Sequence, residues 1–215
     1  MKYYLAYGSN LNRTQMKFRC PHALAVGTAE IPGYRLLYKG SLSGSYLTIE
    51  KAEGHSVPVG VWKVDRRDEE NLDRYEGYPS FYYKKNMVLE VTLGSGEKKF
   101  LDCFVYIMHE YRPFGLPDGY YVEKCREGYR DFGFDEAVLD KALDDTSSEM
   151  ERKKAKVKVP TVVKNQIIAI RDTGKTNMFS LWDVQRLAVR VGYDELYFFI
   201  DEHPADYCRF ILTGK

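Results

Sequence analysis

Two short stretches of this 215-residue sequence carry residue types that can do chemistry. The first is Tyr7-Gly8-Ser9-Asn10-Leu11, where an apolar run stops at a glycine and two small polar residues. A strand ending this way exposes successive backbone N–H groups. Gly8 permits close approach of a ligand, and a helix starting just beyond adds its positive end. Such a nest suits a carboxylate or an oxyanion. An ordinary strand-to-helix turn would carry the same letters. Ser9 as a nucleophile is the weaker idea, because it sits in no Gly-x-Ser-x-Gly elbow and no histidine is assigned to it.

The second stretch is Asp73-Arg74-Tyr75-Glu76-Gly77-Tyr78. Glu76 falls in the last turn of a predicted helix, with Gly77 as its stop. A carboxylate there meets the negative end of the helix dipole, and Tyr75, Tyr78, Tyr82 and Tyr83 can strip water from it. Both effects raise its pKa toward the range a general base or acid needs near neutral pH. A solvated glutamate at a helix end is the plain alternative. A third stretch, Asp172-Thr173-Gly174-Lys175-Thr176, looks like part of a phosphate loop. That pattern needs a glycine where Ala169 stands and a strand where Lys164–Arg171 reads as helix, so a nucleotide loop is excluded. The basic run 152–158 has no interleaved aromatics, which argues for a solvated segment and against a nucleic-acid site.

These groups need elements to position them. The run Lys2 to Tyr7 reads as a buried strand closed by a tight turn, and Asn12 can cap a short helix through Phe18 that stops before Pro21. Strand-like runs follow at Arg35–Tyr38, Tyr46–Glu50 and Val57–Val64, punctuated by Gly33, Gly40 and Gly44. Asp65 to Tyr75 reads as helix, and Tyr82–Leu93 and Lys99–Met108 as strands joined by a Gly94-Ser95-Gly96 hairpin. Arg112–Gly119 is a loop, followed by helices near Tyr120–Tyr129 and Asp135–Leu143. The composition then shifts, and 146–160 reads as a charged linker between a domain at 1–145 and a small helical domain at 161–215. In the latter, Leu181, Val184, Leu187 and Ala188 make an amphipathic stripe.

Composition limits the function classes. Lys and Arg number 32 against 31 Asp and Glu, a net charge of +1, so there is no whole-chain attraction to nucleic acid or to an anionic membrane. No stretch approaches the roughly 18 apolar residues of a membrane span, and the N-terminus is too short and aromatic for a signal peptide. Cys20, Cys103, Cys125 and Cys208 lie far apart and read as reduced thiols of a cytoplasmic protein. The histidines (His22, His55, His109, His203) are scattered with no local zinc spacing, so no metal is expected. The 18 Tyr and 11 Phe point to sheet and a cleft.

In order along the chain, these pieces resemble the gamma-glutamylcyclotransferase family, including its AIG2-like branch. Tyr7-Gly8-Ser9-Asn10-Leu11 is similar to the signature after that family's first strand. Leu72-Asp73-Arg74-Tyr75-Glu76-Gly77 is similar to the segment carrying its catalytic glutamate. Tyr83 fits the tyrosine that begins the next strand, and Tyr121 with Gly128 a pocket tyrosine and a helix glycine. The likeness covers roughly residues 1–135. It implies an α+β fold, a mixed β-barrel with flanking helices. It also implies Glu76 as the catalytic residue, with Tyr4, Tyr7, Gly8, Ser9, Asn10, Tyr83 and Tyr121 around the substrate. Residues 164–214 resemble a small uncharacterised domain of bacterial and phage proteins, carried by the run Lys164 to Phe179 and by Phe210-Ile211-Leu212-Thr213-Gly214.

The activity implied is release of 5-oxoproline and a free amine or amino acid from a small gamma-glutamyl substrate. Nucleophile and electrophile share one molecule, so no cofactor and no metal is expected. The competing reading is a non-catalytic binding module whose C-terminal domain contacts protein or nucleic acid.

Overall fold

A computed structural model describes residues 1–41, 44–154 and 157–214. The chain divides into two compact units, Met1–Arg152 and Lys153–Lys215. In the first, five strands close into a barrel: β1 (Lys2–Ala6), β2 (Leu24–Ser41), β3 (Gly44–Val64), β4 (Tyr82–Leu93) and β5 (Lys98–Met108), in the order β1-β3-β2-β4-β5. The pairings are antiparallel except β1 with β5, which run parallel. Parallel pairs need both faces covered. Accordingly Tyr4, Leu5 and Ala6 are all buried, as is every residue from Cys103 to Met108. Fully burying a side chain such as Leu5 is worth roughly 1.5–3 kcal/mol.

The separate runs expected between residues 35 and 64 belong to two long strands. Gly33 does not end a strand. With φ +74° it sits where the β2–β3 register shifts between Pro32 and Tyr34, and a bulge absorbs it. The barrel closes at a narrow seam of two residue pairs, Gly27 with Leu93 and Thr28 with Thr92. A Cβ on Gly27 would lie 2.2 Å from the Thr92 carbonyl oxygen, so only glycine fits that seam.

Local chemistry sets the helices. Asn12 Oδ1 accepts from the Gln15 N–H (3.0 Å) and starts α1 (Arg13–Arg19). Asp65 Oδ1 accepts from the Asp68 N–H (2.8 Å) and starts α2 (Arg66–Glu76). Gly77, at φ 63°, ends α2, with Tyr78 N–H donating to the Asp73 carbonyl at 2.9 Å. α3 (Gly119–Phe132) packs on the 3-10 turn Ser9–Leu11, and a Cβ on Gly128 would meet the Asn12 nitrogen at 2.6 Å. Asn12 Nδ2 also donates to Glu127 (2.6 Å), pinning the turn to α3 from a second side.

α4 (Ala137–Lys154) runs through residues read as the start of a charged linker. Its inward face is Leu139, Ala142, Thr146 and Glu149, all buried. Thr146 Oγ1 accepts from the Tyr38 N–H (2.9 Å), and Glu149 pairs with Arg35 (2.8 Å). The helix thus docks polar groups where an apolar stripe would have been legible. Residues 155 and 156 of the same stretch lie outside the described residues.

The second unit contains α5 (Thr161–Asp172), α6 (Leu181–Val191), α7 (Asp194–Glu202) and α8 (Pro204–Thr213). Val163, Ile167 and Ile170 pack with Val184, Ala188, Leu196, Phe199, Ile200 and Tyr207. The stripe expected on α6 faces this core. Gly174 (φ +62°) lies just past the C-terminus of α5, its N–H bonded to the Arg171 carbonyl at 3.0 Å. The start of the Thr173–Thr176 stretch is thus a helix stop. No described helix is long and apolar enough to cross a membrane.

Candidate active site

One end of the barrel unit holds a cavity of about 420 Å³. Its walls come from parts distant in sequence: Tyr4 from β1, the turn Tyr7–Asn10, Tyr46 and Leu47 from β3, and Arg74–Gly77 at the end of α2. Phe81, Tyr82 of β4, Tyr106 of β5 and Tyr121 of α3 complete them. No histidine or cysteine is among these described lining residues.

Glu76 is the acid of this cavity. Its Oε1 accepts from Asn10 Nδ2 at 2.7 Å, and the same amide nitrogen lies 2.9 Å from the Tyr4 hydroxyl. Asn10 Oδ1 accepts in turn from Arg19 (2.6 Å), whose guanidinium also donates to Gln15 (2.6 Å) and lies over the Tyr75 ring at 3.7 Å. Burial pushes the Glu76 carboxyl up to about 7, against the downward pull of Arg19 and the Asn10 amide. A carboxyl in this range both takes and returns a proton near neutral pH.

Opposite Glu76 is the glycine turn. Leu11 N–H bonds to the Gly8 carbonyl (2.9 Å) and Asn12 N–H to Ser9 (3.2 Å). The N–H groups of Ser9 and Asn10 have no backbone acceptor among the described residues. They are the first donors of the 3-10 turn, where an anion can dock. A Cβ on Gly8 would lie 3.2 Å from the Tyr121 hydroxyl. That hydroxyl accepts from the Leu47 N–H (3.1 Å), and the Tyr82 hydroxyl donates to the Leu47 carbonyl (2.9 Å). Two tyrosines thus tie β3 to the cavity wall. Tyr7 donates to the Tyr106 carbonyl at 2.6 Å. Burial raises Tyr4, Tyr7, Tyr82 and Tyr121 well above the ordinary phenol value, so they stay neutral hydrogen-bonding groups.

Residues 4–123 match the family described as gamma-glutamyl cyclotransferase, AIG2-like. The chain belongs to this family. Residues 160–215 match a second family, described only as a domain of unknown function, DUF5049. The gamma-glutamylcyclotransferase of Bos taurus is 32% identical over 115 residues, 50% of this chain and 60% of the relative. The gamma-glutamylaminecyclotransferase B of Danio rerio is 30% identical over 80 residues, 37% of this chain and 42% of its own. The chain thus spans under two thirds of the length of either relative. A solved structure titled gamma-glutamyl cyclotransferase superposes with a TM-score of 0.54 at 25% identity, over 66% of this chain and 85% of that one.

Of the residues expected at a gamma-glutamyl cyclotransferase site, Tyr4, Tyr7, Gly8, Ser9, Asn10, Glu76 and Tyr121 line the cavity. Tyr83 does not. It follows Tyr82 in β4, and successive strand side chains face opposite ways. Tyr82 turns inward and is buried, while Tyr83 turns out to donate to Glu110 (2.7 Å) and to pack beside His109. Two adjacent tyrosines leave that parity unreadable from sequence.

Ser9 Oγ lies 3.3 Å from the Tyr75 hydroxyl, and no carboxylate or imidazole is hydrogen-bonded to it among the described residues. Sequence reasoning missed Arg19, Tyr46 and Tyr106. Arg19 carried a signal, as a basic residue in the last turn of a helix that follows the glycine turn. The fold also brings His22 Nδ1 within 3.3 Å of Asp65 Oδ2, a pairing outside the cavity lining.

Proposed function

We propose that this chain cleaves a gamma-glutamyl amide or gamma-glutamyl amino acid to 5-oxoproline and a free amine, with Glu76 as the base and then the acid. The observation that carries the reading is the Glu76 carboxylate held by Asn10 in one cavity with a main-chain turn whose Ser9 and Asn10 N–H groups have no backbone acceptor among the described residues. Ionised Glu76 takes a proton from the substrate's α-ammonium. The freed amine attacks the γ-carbonyl carbon of the same molecule, a C–N bond forms, and the carbonyl oxygen becomes an oxyanion. The oxyanion collapses, the bond to the leaving nitrogen breaks as Glu76 returns its proton to that nitrogen, and the second proton shed by the attacking nitrogen passes through the same carboxylate to the departing amine, which leaves as an ammonium ion beside the neutral lactam. Closing a ring within one molecule needs no protein nucleophile or metal, and the cavity contributes by holding the folded-back rotamer.

The Ser9 and Asn10 N–H groups would hold the substrate carboxylate or the oxyanion. Tyr4, Tyr7 and Tyr121 would bound the glutamyl part. Tyr82, not Tyr83, is the β4 tyrosine offered to the substrate. Glu76 is the sole carboxylate among the described lining residues, so a leaving amine with a second positive charge would find no further acid there.

Glu76→Gln keeps the shape and removes the base. It is expected to lower 5-oxoproline release from gamma-glutamyl substrates by about 10²–10⁴-fold. Release at the parent rate would refute the assignment. In the parent protein the rate should rise through pH of about 7 as Glu76 ionises.

A further inference from the structure

We infer that Arg19, which is not among the cavity-lining residues, is the positioning residue of this site: it decides which end of the Asn10 amide faces Glu76 and supplies the positive charge that the ionised carboxylate meets. The inference rests on the proposed role of Glu76 for its effect on turnover, but not for its effect on the carboxyl itself.

A guanidinium only donates hydrogen bonds, so the amide atom it touches must be the oxygen. Arg19 holds Asn10 Oδ1 at 2.6 Å, and the amide nitrogen therefore turns to Glu76 Oε1 and to Tyr4. Flipping the amide would set donor against donor at Arg19 and oxygen against carboxylate at Glu76. Arg19 is itself held on several sides. Its second terminal nitrogen donates to Gln15, its plane lies over Tyr75, and its own carbonyl accepts from Asn71 Nδ2 at 3.0 Å. None of these partners is an anion. Among the described residues Arg19 forms no ion pair, so its charge is left to act through Asn10 on Glu76.

The other titratable groups around Glu76 do not compete for that role. Tyr4 of β1, Tyr7, Tyr82 of β4, Tyr106 of β5, Tyr121 of α3 and Tyr75 of its own helix are all raised above the ordinary phenol value, chiefly by burial. Cys20, next to Arg19, is pushed up to about 12 by burial. All of these are neutral across the pH range in which Glu76 titrates; Arg74, exposed on the same helix, also lines the cavity, but Arg19 is the cation whose pull opposes the effect of burial on the Glu76 carboxyl.

The test is a 13C NMR titration of the Glu76 carboxyl in the full-length chain, alongside the pH profile of kcat/KM for 5-oxoproline release. Arg19→Met removes charge and donors and should move the Glu76 midpoint up by about one pH unit, with the acid limb of kcat/KM moving equally. Arg19→Lys keeps the charge and loses the fork, so the midpoint should return toward the parent's while kcat stays depressed. Should Arg19→Met fail to fold by circular dichroism, Arg19→Gln, neutral but still a donor, takes its place with the same expected rise. A midpoint unmoved by loss of the charge overturns the inference. If the parent chain turns over no gamma-glutamyl substrate, the proposed function fails, and the NMR midpoints still decide the role of Arg19.

Discussion

Two glycine turns in this chain look alike on paper and are opposites in space. Gly8-Ser9-Asn10 follows a strand and opens a helical turn, so its backbone offers donors, and the Ser9 and Asn10 N–H groups have no backbone acceptor among the described residues, beside a half-buried acid. Thr173-Gly174-Lys175-Thr176 closes a helix, so its backbone serves the outgoing carbonyls: Thr173 N–H and Gly174 N–H bond back to Ile170 and Arg171. Ser9 and Asn10 of the first turn are buried, whereas residues 173 to 175 are exposed. What would make a small-residue turn an anion site is the polarity of the helix end it joins and a cavity that keeps water from competing. Glycine and serine or threonine supply neither.

The largest effect is expected at Glu76, the acid bonded to Asn10 of the first turn. Glu76 binds its proton more tightly folded than unfolded, so folding stability falls as pH rises from the unfolded value near 4.5 through the folded value of about 7. Above that range the cost amounts to about 3 kcal/mol. Glu76→Gln should therefore unfold at a higher temperature than the parent at pH 8, with the gain gone below about pH 4.5, as followed by thermal melts across pH. Equal melting curves at both pH values would mean the carboxyl is not desolvated.

A smaller effect tests the turns directly. Gly8→Ala pushes a methyl to 3.2 Å from the Tyr121 hydroxyl and should lower kcat/KM by about tenfold, since the turn and α3 must part. Gly174→Ala meets no atom within 4 Å but must hold φ +62°. It should cost about 1–2 kcal/mol of stability and leave 5-oxoproline release unchanged. The reverse pattern would assign the anion site to the wrong turn.

The smallest effect concerns the paired tyrosines of β4. Tyr82→Phe removes the bond to the Leu47 carbonyl at the cavity wall and should reduce turnover. Tyr83→Phe loses only the bond to Glu110 and should change stability by less than about 1 kcal/mol. A steady-state assay of both variants decides the parity.

Much of the site was legible because its signals are local. Asn12, Asp65 and Gly77 are caps whose bonds reach three to five residues along the chain, and Gly94-Ser95-Gly96 is a hairpin within its own strands. The proposed acid and anion turn were candidates from residue types in order, and the fold brings both to one cavity. The charged segment beyond residue 145 reads as linker, whereas its first part up to Lys154 continues α4, because that helix docks through Thr146 and Glu149, whose partners Tyr38 and Arg35 are more than a hundred residues away.

Sequence alone, then, determined which groups could act and where helices start and stop, because capping and turn formation are settled within a few residues. Only the closed barrel decided that Tyr82 faces inward, that Arg19 reaches Asn10, and that Glu76 is dry enough to hold its proton near pH 7. Side-chain parity and desolvation are properties of the surroundings, and these exist only once β1, β3, β4, β5 and α3 have met around one cavity.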